Sequence, residues 1–249
     1  MLEGGDGPPL VLLHGGIECG GAYWAPVIPR LAERHRIVVP DLPGLGESEP
    51  APQVELAFGE WFSDLLRAAC DEEPAIVAHS LGGGLAAGYA LQFGGLKRLV
   101  LYGSPGVGRY RMPLGLMVAA LRFDIRPTLR NQERFERWAF LDVHRTKLQN
   151  PGWFEAFDAY CVSHAALPHV KQTVRRLVRT QTRQIPEAAL RRIGVATTLL
   201  WGRHDRMVRV RIAEDASSAL GWPLRVIEDA GHVTHLERPD QFVQTLSEA

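Results

Sequence analysis

The sequence predicts an α/β fold built on an open, mostly parallel sheet with helices on both faces. Most of its short apolar runs are continuous rather than alternating, as expected for strands that are covered on both sides. These runs alternate with helix-like stretches, which is the pattern of right-handed βαβ units. With 249 residues, 46% of them hydrophobic, the chain can bury a core without metal or disulfide support.

Six apolar runs are the predicted strands of this sheet. They are Leu10–Leu13, Ile37–Val39, Ala75–Ala78, Leu99–Tyr102, Thr197–Trp201 and Leu224–Ile227. Helices are predicted near residues 24–34, 59–70, 82–93, 209–219 and 239–247. The alternation stops between 104 and 190, in a segment rich in Arg and aromatic residues. We interpret residues 105–188 as an inserted helical lid, with 1–104 and 189–249 as the two parts of the core.

Composition excludes several classes of protein. Lys plus Arg and Asp plus Glu both number 28, which argues against nucleic acid or an anionic membrane as the main partner. Three cysteines without C-x-x-C spacing, Cys19, Cys70 and Cys161, favour reduced thiols in the cytoplasm. The sequence shows neither a signal peptide nor an apolar run of about 18 residues. Without H-E-x-x-H, a P-loop or a strand-linked G-x-G-x-x-G, we expect no metal and no cofactor.

The strongest chemical signal lies in Val77–Gly84. A predicted strand ends at Ala78 and a Gly-rich helix opens near Gly82, so Ser80 lies in the tight turn between them. Small residues on either side permit a sharp turn. The turn places the Ser80 hydroxyl beside a helix N-terminus, whose N–H groups can stabilise an oxyanion. The pattern is the G-x-S-x-G nucleophile elbow, with Ala in place of the first Gly.

Two later loops supply a candidate base and a candidate acid. His232 follows the last predicted strand, at the sheet edge where catalytic residues gather. His235 is its rival and is expected to pack against the final helix instead. Asp205, just after a strand, completes the order Ser, Asp, His that is typical of one class of hydrolases. Asp229 is too close in sequence to His232 to come from a separate strand end.

A Gly-rich loop after the first predicted strand completes the candidate site. In His14–Gly16, a backbone N–H can turn toward the same oxyanion as the N–H of Leu81. Gly16 is the predicted second donor and Ile17 is the alternative, while His14 itself is expected to be structural. The Pro and Gly residues of Asp41–Ser48 mark a fixed loop whose carboxylates are also expected to be structural.

Taken together, these segments resemble the α/β-hydrolase family. The matching motifs are His14–Gly16, Asp41–Ser48, Ala78–Gly83, Trp201–Asp205 and Ala230–His232, in family order. The resemblance implies Ser80 as nucleophile, Asp205 as acid, His232 as base, and the amides of Gly16 and Leu81 as oxyanion hole. A serine at position 80 excludes the dehalogenase and epoxide-hydrolase branches, which use Asp.

One departure from the family concerns the start of the chain. Members usually have two strands before the His-Gly loop, but only nine residues precede Leu10. The leading hairpin is therefore predicted to be absent, which would leave one edge of the sheet uncovered.

The fold predicts the mechanism better than the substrate. Hydrolysis of a carboxylic ester of a small hydrophobic acyl substrate is the first expectation. Cleavage of a carbon–carbon bond is the second, because Arg126–Phe135 and Ser80–Gly84 look similar to meta-cleavage-product hydrolases. That group usually has Asn before the nucleophile, where this chain has His79. A ligand receptor without turnover is the third. Some insert aromatics should line an acyl pocket and others pack on the core: Trp138, Phe140, Trp153, Phe154, Phe157 and Tyr160.

Overall fold

The computed structural model of the protein describes residues 1–15, 20–50 and 54–248. Within these residues, seven strands form one sheet in the order β1-β3-β2-β4-β5-β6-β7. The strands are β1 (Leu2–Gly4), β2 (Pro9–Leu13), β3 (Arg36–Val39), β4 (Ala75–His79), β5 (Arg98–Tyr102), β6 (Thr197–Gly202) and β7 (Leu224–Ile227). All neighbours run parallel except β1, which pairs antiparallel with β3.

Helices cover the sheet and fill the long connection between β5 and β6. The helices are α1 (Ile28–Leu31), α2 (Val54–Ala69), α3 (Leu81–Gln92), α4 (Leu114–Ile125), α5 (Leu129–Ala139), α6 (Val143–Lys147), α7 (Pro151–Ala165), α8 (Pro168–Gln181), α9 (Glu187–Leu190), α10 (Arg211–Leu220), α11 (Thr234–Glu237) and α12 (Pro239–Ser247). None of the helices within the described residues is long and apolar enough to cross a bilayer.

The continuous apolar strands are buried on both faces, as the sequence predicts. Along β2, Val11 and Leu13 join one hydrophobic cluster, whereas Leu10 and Leu12 join a second cluster on the opposite face. Successive side chains of a strand point to opposite faces, so an unbroken apolar run supplies both clusters at once. The α/β prediction and its six strands are confirmed.

The helix predicted near 24–34 differs from the structure. The segment contains a 3₁₀ turn, Gly20–Trp24, and the single-turn helix α1. Pro26 and Pro29 explain the difference, because proline lacks the N–H that a longer helix would need and its ring clashes with the preceding turn.

The start of the chain also departs from expectation. A two-strand leading hairpin is not found in the described residues, but the three-residue strand β1 pairs with β3 through Leu2–Val39, Glu3–Val38 and Gly4–Ile37. The expectation of an uncovered edge at β3 is therefore wrong. The strand was missed because its residues are largely exposed and form no apolar run.

Helices α4 to α8 occupy the segment predicted as an insert. They lie between β5 and the strand β6, which is its parallel neighbour in the sheet. Both ends of the insert are therefore attached to adjacent central strands. The division of the chain into core and lid stays a prediction.

Two glycines of α3 differ in how closely the rest of the protein packs against them, so their substitution distinguishes a packing effect from a helix-propensity effect. A Cβ at Gly82 would overlap the backbone oxygen of His14, whereas a Cβ at Gly88 meets nothing within 4 Å. We expect Gly82→Ala to lower the free energy of unfolding by about 1–3 kcal/mol, because the backbone must shift. The matched change Gly88→Ala should raise it by about 1 kcal/mol through helix propensity. Urea denaturation of both variants measures the difference, and equal effects would contradict the packing argument.

Candidate active site

Ser80 lies at the junction of β4 and α3 in a strained conformation. Its φ of 50° and ψ of −120° make it the one non-glycine residue with positive φ among those described. Such a backbone costs about 1–3 kcal/mol and persists only where its surroundings hold it. Here the Ser80 N–H donates to the backbone carbonyl oxygen of Tyr102 at 2.7 Å, which ties the turn to β5. The structure thus has the strand, turn and helix predicted around Ser80.

His232 and Asp205 form a buried pair at the ends of β7 and β6. The Nδ1 of His232 lies 2.7 Å from Oδ2 of Asp205, and both side chains are at most 3% exposed. The other carboxylate oxygen accepts the N–H groups of Met207 and Val208, each at 2.8 Å. Because two backbone donors hold Oδ1, the carboxylate is oriented with Oδ2 toward the imidazole. The structure brings together the predicted acid and base.

The loop before His232 is tied to the insert. The His232 N–H donates to the Ala139 oxygen at 2.6 Å. The buried carboxylate of Glu237 accepts the Gly231 N–H at 2.6 Å and the Leu141 N–H at 2.6 Å. Burial raises the pKa of Glu237, and these backbone donors oppose that rise. Glu237, which sequence reasoning missed, therefore joins the insert to the candidate base.

Gly231 lies where the insert packs against the loop that carries His232. In the structure, a Cβ at Gly231 would lie 2.6 Å from the Ala139 oxygen and 2.8 Å from the Leu141 nitrogen. Glycine is required there because the backbone of the insert packs directly against the loop.

His79 connects three parts of the site through buried hydrogen bonds. Its Nε2 lies 3.0 Å from the His232 oxygen, which can only accept, so Nε2 donates and Nδ1 accepts from the Tyr23 hydroxyl at 2.8 Å. The Tyr23 oxygen accepts the Gly15 N–H at 3.1 Å. Burial lowers the pKa of His79 well below its ordinary value, with the nearby His232 ring adding to the effect. A neutral His79 thus links the Gly-rich loop to the backbone of the candidate base.

The rival residues lie apart from this arrangement. His235 is buried with its Nδ1 3.2 Å from the Tyr102 hydroxyl, packed against Trp24 and Phe242, the latter from α12. Asp229 is exposed. His14 accepts the Leu42 N–H at 2.8 Å and is enclosed by the fold, as expected for a structural residue.

The candidate oxyanion donors are only partly described. Leu81 is the first residue of α3, so its N–H has no partner within the helix. Gly16 and its alternative, Ile17, lie outside the described residues.

A cavity of about 370 Å³ lies over the elbow, and its lining includes Ser80, Leu81 and His232. The insert supplies most of the remaining wall. Its aromatic members are Tyr110, Phe123 and Phe135, none of which was among the predicted aromatics. Phe140 and Phe157 line a smaller neighbouring pocket of about 50 Å³ instead. The signal for Phe123 was its helical spacing with Leu116 and Ala119 on the buried face of α4.

Comparison with known proteins shows the family of the chain. Residues 10–245 match the alpha/beta hydrolase family. The chain belongs to that family. It is 28% identical to the 2-hydroxy-6-oxo-6-(2'-aminophenyl)hexa-2,4-dienoic acid hydrolase of Metapseudomonas resinovorans, over 99% of this chain and 85% of that protein.

Solved structures show the same architecture for this hydrolase. The 2-hydroxy-6-oxo-6-phenylhexa-2,4-dienoate hydrolase of Rhodococcus sp. strain RHA1 has a TM-score of 0.84 at 27% identity, covering 98% of this chain and 91% of that one. An esterase from Exiguobacterium antarcticum has a TM-score of 0.80 at 19% identity, covering 99% and 93%, which is a likeness of fold alone.

Charged groups of the hydrolase cavity come from α4 and α8. Lys171, Arg175 and Asp124 are part of the lining. Asp124 is neutralised by Arg175, whose Nε lies 3.1 Å from Oδ1. Lys171 makes no ion pair with the described residues, so its ammonium is available to a group in the cavity.

The neutral state of His235 should be visible in the pH dependence of stability. Burial lowers the pKa of His235 to about 3. Below pH of about 6.5 the unfolded chain gains a proton that the folded chain does not, so stability falls by about 1.4 kcal/mol per pH unit from this residue. His235→Gln should remove that part of the slope.

Urea unfolding from pH 7 to about 4 measures the change in slope expected from this linkage. The exposed His144 supplies the control substitution, His144→Gln. A slope that His235→Gln leaves unchanged would show that His235 is not held neutral.

Proposed function

We propose that the protein is a serine hydrolase that cleaves carboxylic esters of small hydrophobic substrates through Ser80, His232 and Asp205. The observation that carries the proposal is the 2.7 Å hydrogen bond between His232 and Asp205, with His232 lining the same cavity as the strained Ser80. A serine hydroxyl is a poor nucleophile without a positioned base. The buried pair supplies a base whose ring orientation is fixed.

In the proposed reaction, Ser80 Oγ attacks the ester carbonyl while its proton passes to Nε2 of His232. Nδ1 keeps its proton in the bond to Asp205, whose charge stabilises the imidazolium. Collapse of the tetrahedral intermediate breaks the bond to the leaving alcohol, which takes the proton from His232. Water then attacks the acyl-enzyme by the same route and releases the acid and free Ser80.

The developing oxyanion needs two positioned donors. We assign the first to the Leu81 N–H, since Leu81 begins α3 beside the nucleophile. Gly16 is the proposed second donor and Ile17 the alternative. Gly15, which precedes them, is fixed by its N–H donation to Tyr23. This mechanism requires no metal or cofactor.

The cavity walls support an apolar substrate. The insert contributes Leu116, Met117, Leu121, Phe123 and Phe135 to the lining. Apolar walls with a few polar groups near the reacting bond are the usual form of a small-molecule site. The Cys70 thiol forms no disulfide with a described residue, which fits a reducing compartment, and we keep the cytoplasm as the proposed location.

Carbon–carbon bond hydrolysis is the second candidate, and Lys171 favours it. Its ammonium lines the cavity without a carboxylate partner among the described residues, and a dienoic acid would supply one. Relatives at 27–28% identity are hydrolases of such acids. Parallel assays on a p-nitrophenyl ester and on a 2-hydroxy-6-oxo-dienoate separate the two functions. Higher kcat/KM on the dienoate would replace the ester proposal.

Substitution of the proposed triad tests the mechanism. Ser80→Ala should abolish ester turnover while the protein stays folded, and an organophosphonate should label Ser80 alone. His232→Ala should lower kcat for the ester by several orders of magnitude, since triad members act as a unit. Asp205→Asn should lower kcat by about 10⁴-fold, because the amide favours the wrong His tautomer.

His235→Ala serves as the comparison for the base, since His235 does not touch the cavity. A larger loss in kcat from His235→Ala than from His232→Ala would show that the base is misassigned. Melting curves of all four variants separate loss of chemistry from loss of fold.

The acyl pocket should respond to truncation of Phe135. This side chain lines the cavity, whereas Phe154 is 4% exposed and packs against Phe140 and Trp153. Phe135→Ala should raise the kcat/KM ratio of long over short acyl esters by at least about tenfold. Phe154→Ala should leave the ratio unchanged and cost about 3–5 kcal/mol of stability. An unchanged ratio in Phe135→Ala would mean that the insert does not select acyl length.

A further inference from the structure

Helix α4 is apolar on two opposite faces. Leu116, Ala119 and Phe123 face inward and are at most 7% exposed. The opposite face is a stripe of large apolar side chains in solvent, 40–71% exposed: Leu114, Met117, Val118, Leu121 and Ile125. The helical spacing of these five places them on one side of the helix. Only the inner face is required for packing onto the protein.

The stripe continues past the end of α4 and is local. Leu129, at the start of α5, is 59% exposed. Six of the eleven large apolar side chains that are exposed among the described residues lie between 114 and 129. Scattered apolar residues on a surface need no explanation, but a contiguous patch marks an interaction site. We call Leu114, Met117, Val118, Leu121, Ile125 and Leu129 the α4 surface.

Exposed positive charge flanks the α4 surface in the sequence. The segment 109–130 contains one acidic residue, Asp124, and five arginines: Arg109, Arg111, Arg122, Arg126 and Arg130. All five are exposed, and none forms a salt bridge with a described residue. Asp124 is neutralised by Arg175. The chain as a whole has no net charge, so this segment concentrates positive charge around the apolar stripe.

The charge distinguishes between two possible occupants. A second copy of the chain docked through the same patch would bring five arginines against five arginines, because an isologous interface is self-complementary only if its charges are. An anionic lipid surface supplies both an apolar layer for the stripe and negative headgroups for the arginines. Apolar residues with flanking Lys or Arg are the pattern of helices that lie in a membrane interface.

We propose that the α4 surface docks on an anionic lipid surface, with the helix lying in the plane of the interface. Met117 and Leu121 belong both to this surface and to the lining of the catalytic cavity. Docking therefore opens the cavity toward the lipid, so that an acyl substrate dissolved in the bilayer enters without crossing water. This last step rests on the proposed ester hydrolysis, whereas the docking itself does not.

The proposal changes the expectation drawn from net charge. Equal numbers of acidic and basic residues argued against a membrane partner. Electrostatic attraction to headgroups falls off within a Debye length, about 8 Å at physiological salt, so the charge near the contact matters rather than the total.

Flotation of the full chain with vesicles tests the docking. Vesicles of phosphatidylcholine alone are compared with vesicles that also contain phosphatidylglycerol. We expect binding to the anionic vesicles, weaker binding to the neutral ones, and release by high salt. Replacing Arg122 and Arg126 by Gln should weaken binding to anionic vesicles by roughly 20- to 30-fold, since each arginine contributes about fivefold.

The apolar stripe is tested by Leu114→Ser with Ile125→Ser, two positions that do not line the cavity. This variant should bind at least roughly tenfold more weakly, because each buried leucine or isoleucine stabilises the bound state strongly. The controls are Leu148→Ser and Arg34→Gln, which lie outside this segment and are also exposed. Hydrolysis of a soluble p-nitrophenyl ester should be the same in all variants.

Three results would overturn the proposal. They are failure of the wild-type chain to float with anionic vesicles, equal loss of binding in the control variants, and a dimer in sedimentation that the Leu114→Ser, Ile125→Ser variant dissociates. Absence of ester turnover with intact flotation would instead reject the proposed function and leave the docking in place.

Discussion

Close approach of backbones at the carboxyl edge of the sheet is the constraint on which the site depends. The helix after the nucleophile packs onto the His14 backbone at Gly82, and the end of β6 packs onto the Gly231 oxygen at Gly202. A side chain at either glycine would separate loops that must meet. At the same edge, Ser80 has its strained conformation and His232 lies 2.7 Å from Asp205. Burial of the strands on either side offsets the free-energy cost of the strained backbone at Ser80.

The sequence predicts much of this because buried parallel strands and glycine-dependent turns are local signals. Ser80 and Asp205 each follow a continuous apolar strand and His232 follows the last strand, so their shared edge follows from topology. Strand β1 gives no such signal, since its three residues are mostly exposed and are ordered by pairing with β3. The aromatic residues of the insert that line the cavity are harder to predict from the sequence. Helical spacing identifies a buried face, but it does not tell whether that face meets the core or a cavity, which is why Phe123 and Phe135 were missed.

The contacts of the insert suggest how the cavity is reached. Residues 139–142 are held to the core by the His232 N–H, by Glu237, and by Arg206, which donates to the oxygens of Phe140 and Leu141 at 2.7 and 3.0 Å. Movement of this part of the insert would break the backbone contact that positions the candidate base. Elsewhere in the insert, α4 presents exposed apolar residues and is tied to α8 by the Asp124–Arg175 ion pair.

Around α4, the net charge of the whole chain does not represent the local charge. Acidic and basic residues balance over 249 positions, yet five arginines gather between 109 and 130 around an apolar stripe. Water does not stabilise the apolar outer face of such a helix, and a contiguous exposed apolar patch of this kind marks an interaction site. Because Met117 and Leu121 of the stripe also border the cavity, their exposure is connected to the proposed route of substrate entry. Local segregation of charge and apolar area thus says more about a partner than the composition of the whole chain.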